Sequence, residues 1–160
     1  MSLSDYSHLE KEINEMPEPK VLPKGSEVKL RIIGHHEGEG EYGVWHLLTF
    51  DIPSEPYVKE IRKFISDPLD AEGSSENIKQ KVYNTFKYFT NAFNIDLGVP
   101  FDWDDMIGLE GWAILGVKKD DEYGEQNTVQ KFISSKGKQA KDSSTKGKKA
   151  NFEETDDESF

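Results

Sequence analysis

The chain has 160 residues, a mass of 18.3 kDa, no cysteine and a formal net charge of −11. This length favours one domain with tails, and the lack of cysteine excludes disulfides, thiolate nucleophiles and thiolate metal sites. No stretch approaches the ~20 apolar residues of a membrane span, and no apolar run follows a basic start, so we expect a cytoplasmic protein with no secretory signal.

The first half of the sequence predicts a polar arm, residues 1–19, followed by three strands. Val28, Leu30 and Ile32 alternate with Lys29 and Arg31, which is the period-two pattern of a half-buried strand. The later elements follow from turn residues and β-branched or aromatic runs. They are a turn at 37–43, a second strand at 44–52, a turn at 53–56 and a third strand at 57–65.

Between residues 76 and 96 the apolar period changes from two to that of an amphipathic helix. Its stripe consists of Ile78, Val82, Phe86, Phe89 and Phe93. We interpret these side chains as core rather than as a cofactor site. Two more strands are predicted at 111–118 and 128–133, joined by a turn at 120–124.

Three strands, one helix and two strands predict a mainly β domain over residues 20–133. The order fits a five-stranded barrel of the OB type, a Greek-key architecture, with its helix between strands 3 and 4. An α+β sheet with one covering helix is the alternative.

The sequence does not favour catalysis, a cofactor or a metal site. Gly38, Gly40 and Gly43 match a dinucleotide-binding string, but a strand follows them instead of the helix that would meet a pyrophosphate. His35 and His36 are adjacent, so they point to opposite faces of a strand, and no zinc-ligand spacing is present. We therefore predict that the protein is not an enzyme.

Basic and aromatic residues are interleaved along the predicted strands. Cations that follow phosphates and rings on which bases stack are what a binder of single-stranded nucleic acid needs. The alternative is that Trp45, Phe50, Phe64 and Trp112 are core residues and the lysines only aid solubility. The predicted DNA-binding set is Lys29, Arg31, Trp45, Tyr57, Lys59, Arg62, Lys63, Phe64, Trp112 and Lys131.

The C-terminal residues form a basic block followed by an acidic one. Residues 134–150 carry six lysines and one aspartate, and residues 151–160 carry five acids and no base. Both blocks lack the apolar residues that would offset the entropy of ordering, so we predict a flexible basic linker and a disordered acidic tail. The predicted partner-binding residues of the tail are Glu153, Glu154, Asp156, Asp157, Glu158 and Phe160.

The acidic residues before Phe160, which carries the terminal carboxylate, and the late strand pair around Trp112 and Phe132 resemble the small single-stranded DNA-binding proteins of tailed bacteriophages. This resemblance implies an OB-fold body and sequence-independent coating of single-stranded DNA in phage replication, recombination or repair. It also implies a tail that competes with DNA for the basic groove and contacts polymerase, helicase or primase. A homodimer is compatible with it.

The distribution of charge keeps a second hypothesis open. Residues 20–133 carry more acids than bases, whereas a DNA-coating surface should be locally positive. The alternative function is therefore an acidic DNA mimic or adaptor that binds host proteins. A metal-dependent nuclease that uses scattered carboxylates is the third and weakest hypothesis.

Overall fold

Five strands pair antiparallel in a single sheet in the computed structural model, which describes residues 2–41 and 43–134. The order across the sheet is β3-β2-β1-β4-β5. The prediction of a mainly β fold with a helix between the third and fourth strands is confirmed. The elements are α1 (Glu10–Asn14), β1 (Glu27–Gly40), β2 (Gly43–Asp51), β3 (Ile61–Ser66), α2 (Glu76–Ala92), β4 (Glu110–Asp120) and β5 (Gly124–Ile133).

The core lies between one face of this sheet and helix α2. Phe50, Phe89, Phe93 and Phe132 are all buried and contact one another through their rings, with centroids 5.1–6.1 Å apart. Phe89 and Phe93 belong to the stripe predicted from the helical period. Ile78, the first residue of that stripe, is not buried in the core. It lies at the N-terminal end of α2 and is 45% exposed.

The five strands do not close into the predicted barrel, since the sheet stays open between β3 and β5. β5 passes close to β3, but no ladder joins the two strands within the described residues. The N-terminal segment occupies part of this gap. Lys20 pairs with Val58, just ahead of β3, while Leu22 exchanges hydrogen bonds of 2.9 Å with the side chain of Asn127 on β5. The Asn127 amide thereby satisfies both the backbone N–H and the backbone C=O of Leu22.

Several element boundaries differ from the prediction. β1 continues to Gly40, through residues that were predicted to be a turn, and β3 begins at Ile61 rather than at residue 57. Helix α2 ends at Ala92 because Asn94 adopts φ 57°, a left-handed conformation that stops a helix.

Candidate functional site

A β-bulge in β1 decides which face of the sheet each following side chain occupies. The β1–β2 register shifts just after Ile32, and one extra residue reverses the alternation of faces. As a result His35 lies beside His46, with ring centroids 5.1 Å apart. His36 lies on the other face beside Trp45, at 6.0 Å. The alternation of the strand separates the two adjacent histidines, and the bulge decides that His35 rather than His36 lies on the face of His46.

Trp45 and Phe64 form an aromatic pair on the outer face of β2 and β3. Their ring centroids are 5.3 Å apart and their planes meet edge to face at 82°. Phe64 is 61% exposed, so its ring is open to solvent. Trp45 lies over Gly38, its partner in the β1–β2 register, where a Cβ would overlap the indole. The glycine-rich string is therefore part of a hairpin, and Gly38 provides space for a ring.

A groove of about 750 Å³ separates this aromatic pair from the β4–β5 hairpin. Leu47, Arg62 and Phe64 line one wall, from β2 and β3. Lys59 and Glu60, which precede β3, also line it. The opposite wall is formed by Lys118, Asp120, Tyr123, Gln126, Asn127 and Thr128.

The charges in the groove are mixed. Its cations are Lys59, Arg62 and Lys118, and its carboxylates are Glu60 and Asp120. The Arg62 side chain makes no hydrogen bond or ion pair with any residue in the described part of the chain. Its five N–H donors are therefore available to a ligand.

The carboxylate of Asp120 accepts hydrogen bonds within the turn between β4 and β5. The backbone N–H groups of Tyr123 and Glu122 donate to its Oδ1 at 2.9 and 2.8 Å. These bonds lower the pKa of Asp120 from its ordinary value, and the hydrogen bond from Tyr123 contributes most. Lys59 fastens the same turn from across the groove, donating to the carbonyl oxygens of Tyr123 and Glu125 at 3.4 and 2.9 Å. The Lys59 bonds therefore link the two walls of the groove.

Three of the ten predicted DNA-binding residues lie on β1 and β4, outside the groove lining. Arg31 makes a two-pronged ion pair with Asp51, with Nε–Oδ1 at 3.0 Å and Nη2–Oδ2 at 2.6 Å, which raises the pKa of Arg31. Lys29 is paired with Glu110 at 3.6 Å and stands opposite Trp112 in the β1–β4 register. The charges of Lys29 and Arg31 are thus partly neutralised within the protein.

Two other predicted residues, Lys63 and Lys131, lie beside helix α2. Both border a small hollow with Tyr88, and Lys131 Nζ is 5.3 Å from the centre of the Tyr88 ring. Lys63 follows Arg62 on β3, so the strand period places the two cations on opposite faces. Tyr57 precedes β3 and is 48% exposed. The sequence therefore predicted one surface, but the structure divides the ten residues among separate places.

Lys118 and Tyr123 line the groove, although neither is in the predicted set. Both lie next to the β4–β5 turn, where a pair of lysines and an aromatic residue flank Asp120. The turn itself was predicted. What the sequence did not reveal is that the hairpin folds towards β3.

The inner face of the β1–β2 hairpin carries a second cluster of polar side chains. His35 Nε2 lies 2.9 Å from His46 Nδ1. The outer ring nitrogens contact carboxylates: His35 Nδ1 lies 2.8 Å from Asp104 Oδ1, and His46 Nε2 lies 2.8 Å from Asp67 Oδ2. The ring of Trp103 stacks on His46 with centroids 3.6 Å apart and planes 5° from parallel. Adjacent histidines and distant aspartates in the sequence gave no sign of this arrangement.

The predicted linker 134–150 lies almost entirely outside the described residues, which end at 134, and so does the acidic tail 151–160 with its partner-binding residues. Among the helices that the structure describes, none has the length and apolar character needed to cross a membrane. No protein-family model matches the chain, and no curated protein sequence matches it at a significant level.

Proposed function

We propose that the protein binds single-stranded DNA without sequence preference, in the groove between the β2–β3 face and the β4–β5 hairpin. The observation that carries this proposal is the exposed ring of Phe64, edge to face with Trp45, next to the unpaired guanidinium of Arg62. A base stacked on an exposed aromatic side chain contributes about 1–3 kcal/mol, and a free cation beside it neutralises a phosphate.

The topology supports the same proposal. An OB fold is a partly open Greek-key barrel that binds oligonucleotides on its strand 2–3 face, between two hairpin loops. The strand order of this sheet, the position of α2 and the approach of β5 to β3 agree with a partly open barrel of that type. We infer that the chain is an OB-type module that is open between β3 and β5.

The wider role that we propose is coating of single-stranded DNA in phage replication, recombination or repair, in the host-cell cytoplasm. The acidic residues 151–160 would occupy the groove in the absence of DNA and recruit polymerase, helicase or primase when DNA displaces them. The chemical reason is that their carboxylates and Phe160 carry the same features, negative charge and a flat ring, as a single strand.

The test is a fluorescence-anisotropy titration of labelled oligo-dT with the full-length protein and its Phe64→Ala variant. Loss of one stacking platform should weaken binding by about 5- to 150-fold, the equivalent of ~1–3 kcal/mol. Tyr83→Ala is the matched control, since Tyr83 is also exposed but lies on α2. Equal affinity of wild type and Phe64→Ala would place DNA elsewhere on the protein.

An acidic DNA mimic or adaptor is the second candidate function. Its support is the net charge of −11 and the neutralisation of Lys29 and Arg31 by Glu110 and Asp51. Passage of the protein through single-stranded DNA cellulose at low salt without retention would favour this candidate over DNA binding.

A further inference from the structure

The inner face of the β1–β2 hairpin gathers three side chains that bear metal-ligating atoms. One ligand atom from each of His35, Glu37 and His46 lies within 4.8 Å of the other two. Glu37 stands opposite His46 in the strand register, and its Oε1 is 3.7 Å from His46 Nδ1. The His46 side chain is 2% exposed and that of His35 is 6% exposed, so the two nitrogens meet out of bulk water.

The hydrogen bonds of the two rings determine which nitrogens carry protons. A carboxylate only accepts, so Asp104 requires a proton on His35 Nδ1 and Asp67 requires one on His46 Nε2. We assign the tautomers from this network. With neutral rings, His35 Nε2 and His46 Nδ1 would then both present lone pairs to each other at 2.9 Å. Two facing lone pairs repel, and a cation between them removes the repulsion.

We propose that this cation is a divalent transition-metal ion of the Zn²⁺ class, bound by His35 Nε2, His46 Nδ1 and the carboxylate of Glu37. Two imidazoles and one carboxylate are a ligand set that Zn²⁺ accepts, with a further position open to water. Zn–N bonds of ~2.0–2.1 Å at a tetrahedral angle need the two nitrogens about 3.3 Å apart. The two lone pairs point almost straight at each other, because the ring centroids are 5.1 Å apart and the facing nitrogens 2.9 Å apart. Binding of the ion therefore requires the nitrogens to separate by a few tenths of an ångström and the rings to turn within their planes, so that the lone pairs converge on the ion.

The surroundings have the features of an ordered metal site. Each ligating imidazole donates its other N–H to a carboxylate, the arrangement that orients histidine ligands and raises their basicity. Trp103 stacks on the His46 ring and holds its plane. His35 and Glu37 also border an open pocket of about 560 Å³, together with residues 100–105. Through this pocket an ion can enter and a water molecule can complete its coordination.

A shared proton is the competing occupant of the same position. His35 as an imidazolium would donate to both Asp104 and His46, which satisfies every hydrogen bond without a metal. The two occupants differ in one respect that an experiment detects. A proton requires nothing from Glu37, whereas the metal uses its carboxylate as the third ligand.

The experiment uses the full-length protein, stripped of metal with a chelator and then titrated with ZnCl₂ by calorimetry and with CoCl₂ by visible absorption. Stoichiometric binding and intense d–d bands of tetrahedral Co²⁺ are the expected results. The tested variants are Glu37→Gln and His35→Asn, each with a control on the same strand. Glu39→Gln makes the same charge change two residues along β1, and His36→Asn alters the histidine on the opposite face. Circular dichroism verifies that each variant is folded.

We expect Glu37→Gln to lower Zn²⁺ affinity at least about tenfold and His35→Asn to abolish the Co²⁺ bands, with both controls like wild type. Metal binding that persists unchanged in His35→Asn would overturn the proposal and assign the ion to carboxylates elsewhere. Wild-type protein that binds neither ion would overturn it in favour of the shared proton. Neither result depends on whether the groove binds DNA.

Discussion

Gly38 and Trp45 face each other across the β1–β2 hairpin, and the indole of Trp45 occupies the space in which residue 38 would carry a Cβ. The indole can occupy this position because Gly38, on the neighbouring strand, has no side chain. The same indole contacts Phe64 from the other side. A change at residue 38 should consequently be transmitted to the proposed stacking surface.

Gly38→Ala is expected to displace the Trp45 ring and to destabilise the protein. Overpacking of this kind costs about 1–3 kcal/mol, measured here as a lower urea midpoint. Oligo-dT affinity should fall with it, because Trp45 no longer supports Phe64. Gly73→Ala is the control, as no atom lies within 4 Å of a Cβ at that position. An unchanged midpoint for Gly38→Ala would contradict the close contact.

Removal of the Arg62 guanidinium should change the salt dependence of DNA binding. Each phosphate neutralised on a single strand contributes about −0.7 to the slope of log affinity against log salt. Arg62→Ala should therefore make this slope shallower by about 0.7 if Arg62 neutralises one phosphate. Anisotropy titrations at several NaCl concentrations measure it. Lys79→Ala removes a cation from α2 and should leave the slope as in wild type.

A protein that ends at Ala150 should bind single-stranded DNA more tightly than the full chain. The deletion removes five carboxylates and two phenylalanines that would compete with DNA for the groove. Titration of both proteins with oligo-dT at low and high salt tests this expectation. Unchanged or weaker affinity of the shortened protein would argue against competition by the tail.

Two phenylalanines of the same chain should differ sharply in their effect on stability. Phe89 is fully buried among aromatic rings, so Phe89→Ala should lower the free energy of unfolding by about 3–5 kcal/mol. Phe64→Ala, at an exposed position, should change it by about 0.5 kcal/mol or less. Urea unfolding of both variants provides the comparison. A large loss of stability in Phe64→Ala would mean that its ring serves the fold.

The β4–β5 turn should loosen in acid through Asp120. The pKa of this carboxyl is lowered in the folded protein, so its contribution to stability is fully present above the ordinary value of 3.8. That contribution is lost as the pH falls through the lower folded value. NMR shifts of the Glu122 and Tyr123 amides should follow the titration. Asp120→Asn should show no such transition, and a titration of these amides that survives the substitution would implicate another group.

Local patterns were sufficient for the type and the order of the elements, although not for the ends of β1 and β3, because each pattern depends on residues close in the chain. The alternation around Val28 and Leu30 marks β1, and the helical spacing of Phe89 and Phe93 marks the buried side of α2. Both signals are periods of the backbone itself, which a single sequence displays. The element order then followed, including the helix between β3 and β4.

Local sequence patterns could not predict whether the sheet closes or which residues line the groove. β3 and β5 do not pair within the described residues, and the segment that contacts both sides of the opening, around Lys20 and Leu22, lies more than thirty residues before β3. The face on which His35 lies depends on a bulge that reverses the strand alternation after Ile32. Neither event has a periodic signature.

The sequence by itself determined the order of the strands and the helix, the buried positions of Phe89 and Phe93, and the charge blocks, since these follow from hydrophobic period and composition. Only the tertiary structure decided which charges are free. In the sequence Arg31 and Arg62 look equivalent, because each is a basic residue in a predicted strand. In the structure Arg31 is paired with Asp51, whereas Arg62 lines the groove. Whether a charged side chain is free to bind a ligand depends on partners that lie far from it in the chain. Only the packing of the strands brings those partners together.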